Sequence, residues 1–251
     1  MPEAAVAEVE RISMSTANLQ VRQLGLVPYK DAFALQQDLV ARRKRNEIPD
    51  QLLFVEHPHV VTMGRNGHDE NLLAAPELLA RSGIDFVRTD RGGDVTYHGP
   101  GQIVGYPIID LRDWKRDVGA YVRAIEQVII EALGSFCIPA FRDTAGTGVW
   151  TGEDPSKPAA KIAAIGIHIS RWVTSHGFAL NLDTDLNYFQ YIVPCGLTKP
   201  VTSMRALGCV AGREQVIAAL EQSFARVFER NPGAQDATAF RCARQNMETV
   251  K

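Results

Sequence analysis

Three groups of residues in this chain have types and settings that do chemistry. The run at 91–102, RGGDVTYHGPGQ, packs four glycines, a proline, an arginine and a histidine into one turn-rich segment. Gly92, Gly93, Gly99 and Gly101 let the backbone take positive φ or approach a ligand closely, while Arg91 and His98 bracket the loop with one permanent and one titratable donor. Composition alone supports a cradle for some ligand, a phosphate included, or a pair of ordinary tight turns. The second group is Lys161, which heads the apolar run Ile162, Ala163, Ala164, Ile165, Gly166, Ile167. Its ammonium either snorkels at a strand end or faces a partly dry pocket, where it would stabilise an anion or, if desolvated, act as a base. The third is Cys195, in the order Val193, Pro194, Cys195, Gly196, Leu197. An arbitrary cysteine is most often a small buried hydrophobe. Here Pro and Gly hold the thiol on a rigid turn, and a reactive thiol needs access as well as a lowered pKa.

Other candidates carry less. His57 and His59 lie two apart beside Glu56 and suggest a metal pair, but no third ligand is evident and structural or solvated histidines explain them better. The four cysteines, Cys137, Cys195, Cys209 and Cys242, show no C-x-x-C spacing, which disfavours structural zinc and leaves each to be judged as a free thiol. Cys137, Cys209 and Cys242 lack the rigid setting of Cys195 and are assigned to core or surface.

The elements that must position these groups can be read from periodicity. Residues 1–17 form a loose Ala/Glu-rich leader without an apolar face. A strand over 19–24 precedes a helix opened by Pro28, with Phe33, Leu35, Leu39 and Val40 on its buried side. Residues 52–55 and 60–63 read as two strands of one hairpin. A short helix at 76–81 stops at Gly83 and a strand over 84–88 delivers the chain into the glycine loop; 102–110 is again strand-like. The spacing of Val118, Tyr121, Val122, Ile125, Val128, Ile129 and Leu133 predicts an amphipathic helix over 117–133. Strands at 149–150, 161–169 and 172–181 follow, the last two a hairpin, then a long irregular passage over 183–212 and a helix over 213–230. The tail from 231 is polar. These patterns imply one mixed α/β domain over 18–230, a mixed sheet flanked by helices.

Composition narrows the class further. The 251 residues are 45% apolar with a net charge of -2, so no basic field recommends nucleic acid or a membrane as partner. The N-terminus has no secretory pattern and no run of eighteen apolar residues occurs, which implies a cytosolic protein.

Taken in order, four stretches are similar to the lipoyl(octanoyl) transferases, also called the lipoate-protein ligase B family: RGGDVTYHGPGQ at 91–102, KIAAIG at 161–166, HGFALN at 176–181, and PCGL followed by VTS within 194–203. The resemblance covers about residues 19–228; only Asp94, at a position that varies in the family, and the loop 153–158 depart from it. It implies the fold of biotin and lipoate protein ligase catalytic domains and a ping-pong acyl transfer without ATP or metal. Cys195 as thiolate would take an octanoyl or lipoyl group from acyl carrier protein, and the lysine amine of a lipoyl domain or of the glycine-cleavage H protein would then receive it. Lys161 resembles the residue that lowers the thiol pKa and shuttles protons. Substrate-binding positions fall on Arg91, Gly92, Gly93, Asp94, Val95, Thr96, Tyr97 and His98, on Ala164, Ile165 and Gly166, and on Gly177, Phe178 and Ala179. The small residues among these would leave room for the acyl chain, so that a bulky one would shorten the preferred chain. His98 either walls the site near the reacting carbonyl or only braces the loop backbone, and His176 lines the site. The cluster Arg42, Arg43, Lys44, Arg45 either docks an acidic carrier or is a solvated helix end. An ATP-dependent lipoate or biotin ligase, which needs no cysteine, an octanoyl amidotransferase between lipoyl-type domains, and a non-catalytic binder of such domains are the competing readings.

Overall fold

The computed structural model describes residues 17–144, 146–152, 159–193 and 200–232. The expected leader, the loop at 153–158, Cys195, Cys242 and nearly all of the polar tail lie outside the described residues.

Strand β1 (Ala17–Leu26) leads into helix α1 (Tyr29–Lys44), which starts after Pro28. Proline suits that place because a first-turn N–H has no helical partner to lose. Then come β2 (Asp50–Glu56), β3 (Val60–Met63), the short helix α2 (Pro76–Arg81), β4 (Asp85–Arg88), β5 (Val95–His98) and β6 (Gln102–Ile108). Helix α3 (Val118–Gly134) is capped by Asp117, whose side chain accepts the Ala120 N–H at 2.9 Å. Strands β7 (Phe141–Asp143), β8 (Gly146–Thr151), β9 (Ala160–Ser170) and β10 (Val173–Asn181) precede helix α4 (Arg213–Val227) and β11 (Arg230–Pro232). Among the described residues no helix is long and apolar enough to cross a membrane.

Eight strands form one sheet in the order β11-β1-β2-β6-β10-β9-β8-β7, parallel where β1 meets β2 and β11 and antiparallel elsewhere. This is the expected mixed sheet. Its strands alternate sides as the pleat requires: Leu52 and Phe54 of β2 join the cluster built with Ile125, Val128 and Ile129 of α3 and Leu220 and Phe224 of α4, whereas Leu53 and Val55 join Ala32, Leu39 and Val40 of α1. The helix spacing of 117–133 places its apolar residues inward except Val118 at the first turn, which is exposed, and Val122, which is half-buried and lines a cleft.

Four expectations are corrected. Residues 52–55 and 60–63 do not pair: β2 is already flanked by β1 and β6, and β3 belongs to a separate sheet, β4-β3-β5. The turn between them is pinned by His57, whose ring lies 2.6 Å from Val27 O and 2.7 Å from Tyr106 Oη, so the chain leaves the first sheet rather than folding back on it. The last helix ends at Val227, and the chain re-enters the sheet as β11 beside β1, so the boundary placed after 230 falls inside a strand. Finally, neither reading of the 42–45 cluster fits Arg43. It is buried, donates to Asp50 at 2.8 Å and to Asp113 at 2.6 Å, and Arg230 of β11 donates to the second oxygen of the same Asp50 at 2.9 Å. Cys137 is disulfide-bonded, which corrects its reading as a free thiol, while Cys209 is free and half-buried.

Candidate active site

The second sheet exists to close a cavity. Period-two alternation in β5 sends Val95 and Tyr97 into a core with Val61, Leu79, Ile84 and Ile192, and sends Thr96 and His98 to the wall of a cleft of about 450 Å³. Val95 and Tyr97 thus support the wall without lining it. Across the cleft, β9 and β10 pair so that Ala164 faces Ala179, Ile165 faces Phe178 and Gly166 faces Gly177. Two stretches of sequence far from the glycine loop are thereby set against it as one surface, with Tyr29 of α1 and Val104 and Tyr106 of β6 completing the lining.

Arg91 is buried and tied to β3, its Nη2 donating to Thr62 O at 2.6 Å and to Thr62 Oγ1 at 2.9 Å. The loop backbone is held as well: Gly92 N donates to Ile167 O at 2.7 Å, and Gly93 takes φ +84°. Asp94 braces the wall, its carboxylate accepting the His68 N–H at 3.1 Å and the amide of Asn71.

A second cleft of about 1040 Å³ adjoins the first, sharing Gly93, Ile165 and Gly166, and contains Lys161 with Gly92, Asp94, Asn66, His68 and Asn71. Lys161 is 7% exposed. Its Nζ donates to Thr147 O at 3.2 Å and lies 4.6 Å from the Trp150 ring centre. Its backbone is bracketed by the segment that follows 194–199, Lys161 N donating to Pro200 O at 2.8 Å and Thr202 N to Lys161 O at 2.9 Å. Residues 200–202 therefore run alongside the lysine. Cys195 itself lies outside the described residues.

The smallness of Gly177 also answers a packing demand within the sheet. A Cβ built there would sit 2.1 Å from Gly105 O and 2.6 Å from Pro107 Cδ of the neighbouring strand, and one on Gly166 would sit 2.8 Å from Gly92 O. Both glycines line the cleft, and both also make room for neighbouring backbone. Gly177→Ala is expected to cost about 1–3 kcal/mol through overpacking, read as a lower urea midpoint; an unchanged midpoint would refute this account.

The histidines are dry and paired. His98 stacks on Tyr29 with ring centres 6.1 Å apart, and its Nδ1 lies 2.8 Å from Gln102 Oε1. Burial, with His57 adjacent, pushes its pKa down to about 3. Burial also lowers His57, and lowers His176 against the upward pull of Asp90. His176, at φ +55°, is part of the cleft lining as expected; its ring stacks on Phe33, with Nε2 2.7 Å from Asp90. His59 points elsewhere, to Tyr97 Oη at 2.8 Å and onto the Tyr188 ring. Among the described residues no three His, Cys, Asp or Glu converge as a metal site.

These depressed histidines have a consequence for acid stability. Unfolded histidine titrates near 6.5 and binds protons the native rings refuse, so the stabilisation is complete above that pH and lost as pH falls towards 3. The expected loss is up to about 1.4 kcal/mol per pH unit for each ring. Urea midpoints at pH 7 and pH 5 should separate accordingly, and His98→Gln should narrow the gap; equal gaps in the two proteins would contradict the assignment.

Several contributors had no sequence signal. Tyr29 and Tyr106 look like ordinary core aromatics. Asn66 and Asn71 reach the lysine cleft only because β3 pairs with β5. Gly64 is a lone glycine after a strand, yet a Cβ there would lie 2.3 Å from Gly93 O.

Comparison with known proteins accords with this geometry. Residues 28–225 match the family model of the lipoyl protein ligase A/B catalytic domain. An octanoyltransferase of Solibacter usitatus is 62% identical over 88% of this chain and 99% of its own, and one of Koribacter versatilis is 52% identical over 84% of each. Among solved structures, a bipartite lipoate protein ligase from Thermoplasma acidophilum superposes with a TM-score of 0.71 at 15% identity, covering 88% of both chains. A lipoate-protein ligase A bound with ATP gives 0.69 at 16% identity, over 88% of this chain and 90% of the other; both are likenesses of fold. On the identity and coverage of its relatives, the chain belongs to the lipoyl protein ligase A/B catalytic-domain family, as one of its octanoyltransferase enzymes.

Proposed function

We propose that this enzyme moves an octanoyl or lipoyl group from acyl carrier protein to the lysine amine of lipoyl domains, of 2-oxoacid dehydrogenase subunits or of the glycine-cleavage H protein, through a thioester on Cys195. The observation that carries this reading is the adjacency of two clefts: a largely apolar one that shares Gly93, Ile165 and Gly166 with another that contains Lys161. The Solibacter and Koribacter relatives carry the name octanoyltransferase, and the Thermoplasma structure is described as part of a lipoylation system with its E2 lipoyl domain.

In the first half-reaction the Cys195 thiolate attacks the thioester carbonyl. The tetrahedral adduct collapses, the carrier thiolate leaves, and the Lys161 ammonium gives it a proton. In the second, an unprotonated lysine amine attacks the enzyme thioester, neutral Lys161 takes its excess proton, and the Cys195 thiolate departs. The protonation of Lys161 is restored over the cycle. Exchange of one thioester for another is nearly isoenergetic and aminolysis of a thioester is downhill, so the scheme uses no ATP, metal or other cofactor. The catalytic unit is 18–230, continued by β11, working in the cytoplasm with no nucleic-acid or membrane partner.

Within the apolar cleft, Ala164 and Ala179 face one another and would line the chain, each buried methylene contributing about 0.8 kcal/mol. The test is to mix the purified enzyme with octanoyl carrier protein and weigh it. One octanoyl group should appear on the wild type and none on Cys195→Ala. Labelling that needs ATP would favour a ligase, labelling that needs an octanoylated lipoyl domain as donor would favour an amidotransferase, and labelling of Cys195→Ala would end the proposal.

A further inference from the structure

A backbone carbonyl can only accept, so it fixes the direction of any hydrogen-bond chain that reaches it. Thr202 O takes the Nδ2–H of Asn181 at 3.0 Å. The other end of that amide, Oδ1, therefore faces Gln102, whose Nε2 donates to it at 2.9 Å. The same Nε2 also donates to Tyr97 O at 3.3 Å, a second carbonyl that enforces the same orientation. Gln102 is left with Oε1 towards His98 Nδ1 at 2.8 Å, and an amide oxygen at that distance calls for a proton on the nitrogen. Asn181, Gln102 and His98 are all buried, so no bulk solvent relaxes the order. Reversing it would set oxygen against oxygen at Tyr97 and Asn181, and again at Thr202 if Asn181 followed. Because the ring is neutral at ordinary pH, a proton on Nδ1 leaves Nε2 as a lone pair, and His98 lines the apolar cleft.

We propose that Gln102 and Asn181 are positioning residues that hold His98 as the Nδ1–H tautomer, so that the cleft wall at His98 offers a hydrogen-bond acceptor instead of a donor. Its chemical meaning rests on the acyl-transfer reading above. An acceptor nitrogen repels the thioester carbonyl oxygen, itself an acceptor, and suits an N–H of the incoming lysine amine. His98 thus serves the second half-reaction, orienting the amine, and gives nothing to the first. The direction of this preference is set by Thr202, whose N–H binds Lys161 O. Recognition of the amine and placement of the lysine share one residue.

The experiment is two-bond proton–nitrogen correlation on the full chain labelled with 15N-histidine, with His98 assigned by its loss in His98→Gln. The wild type should show His98 protonated on Nδ1; a ring protonated on Nε2 overturns the proposal whatever any variant does. Gln102→Met, close in shape but without the amide, should move the ring towards the Nε2–H form. It should also slow transfer from the enzyme thioester to a lipoyl domain by about tenfold, with formation of that thioester within about twofold of wild type. An unchanged tautomer in Gln102→Met, or an equal fall in both half-reactions, counts against the assignment. Absence of any octanoyl-enzyme in the wild type would instead sink the acyl-transfer reading and leave the tautomer readable.

Discussion

Asp50→Ala will destabilise the folded chain by about 3–5 kcal/mol. Asp50 has no side-chain exposure, and its two oxygens bind Arg43 and Arg230, both nearly as buried. Its Oδ1 also accepts the Asp110 N–H at 3.1 Å, so the carboxylate fastens α1, β2, β11 and the end of β6 at one point. Removing it leaves two guanidinium groups in a dry interior, where desolvation is no longer offset by an opposing charge. Arg43 keeps a partner in Asp113, which is half exposed, but among the described residues Arg230 keeps only the Phe228 carbonyl. The damage should therefore concentrate at β11. Urea unfolding of the two proteins measures the loss, and a difference below about 1 kcal/mol, the scale of an exposed pair, would mean that these charges are effectively solvated.

Lys161→Ala will lower octanoyl transfer by about 10²–10⁴-fold, the usual worth of a positioned proton donor and acceptor. The two roles proposed for this lysine separate with a second variant. Lys161→Arg keeps the positive charge but cannot give up its proton near neutral pH. The pH midpoint of Cys195 alkylation should thus rise towards the free-thiol value of about 8.5 in Lys161→Ala and stay near wild type in Lys161→Arg, while transfer falls in both. If alkylation of Lys161→Ala follows the wild-type curve, the electrostatic role is removed. If Lys161→Arg transfers at the parental rate, the proton-shuttling role goes instead.

What could be read along the chain was what local periodicity encodes. The stripe from Tyr121 to Leu133 specifies α3 because a helix brings those positions to one side whatever it packs against. The β9–β10 hairpin is equally local, with its short turn at Arg171 and Trp172, both at positive φ. The separate sheet was illegible because nothing between Val55 and Val60 says that β2 already has two neighbours. Arg43 looked solvated because its three acids, Asp50, Asp110 and Asp113, arrive from other elements. In the site, the motif positions were visible but their division of labour was not. Thr96 and His98 face the cleft while Val95 and Tyr97 face a core, and that depends on which side of β5 the second sheet covers. That Gly177 also yields space to Gly105 and Pro107 across the ladder depends on which strand lies beside β10.

The pairing of β11 with β1 imposes an order of events on synthesis. A chain emerging from the ribosome can assemble β1, α1 and β2 early, since their contacts are close in sequence. The edge of β1 that β11 covers stays open until residues 230–232 appear, and Asp50 meanwhile holds only one of its two arginines. The nascent domain therefore carries an unpaired strand edge, of the kind that recruits foreign chains, until that point. Closure comes from a contact distant in sequence, Ala17 beside Arg230, which predicts slow, late completion of folding and a premium on chaperone protection until then.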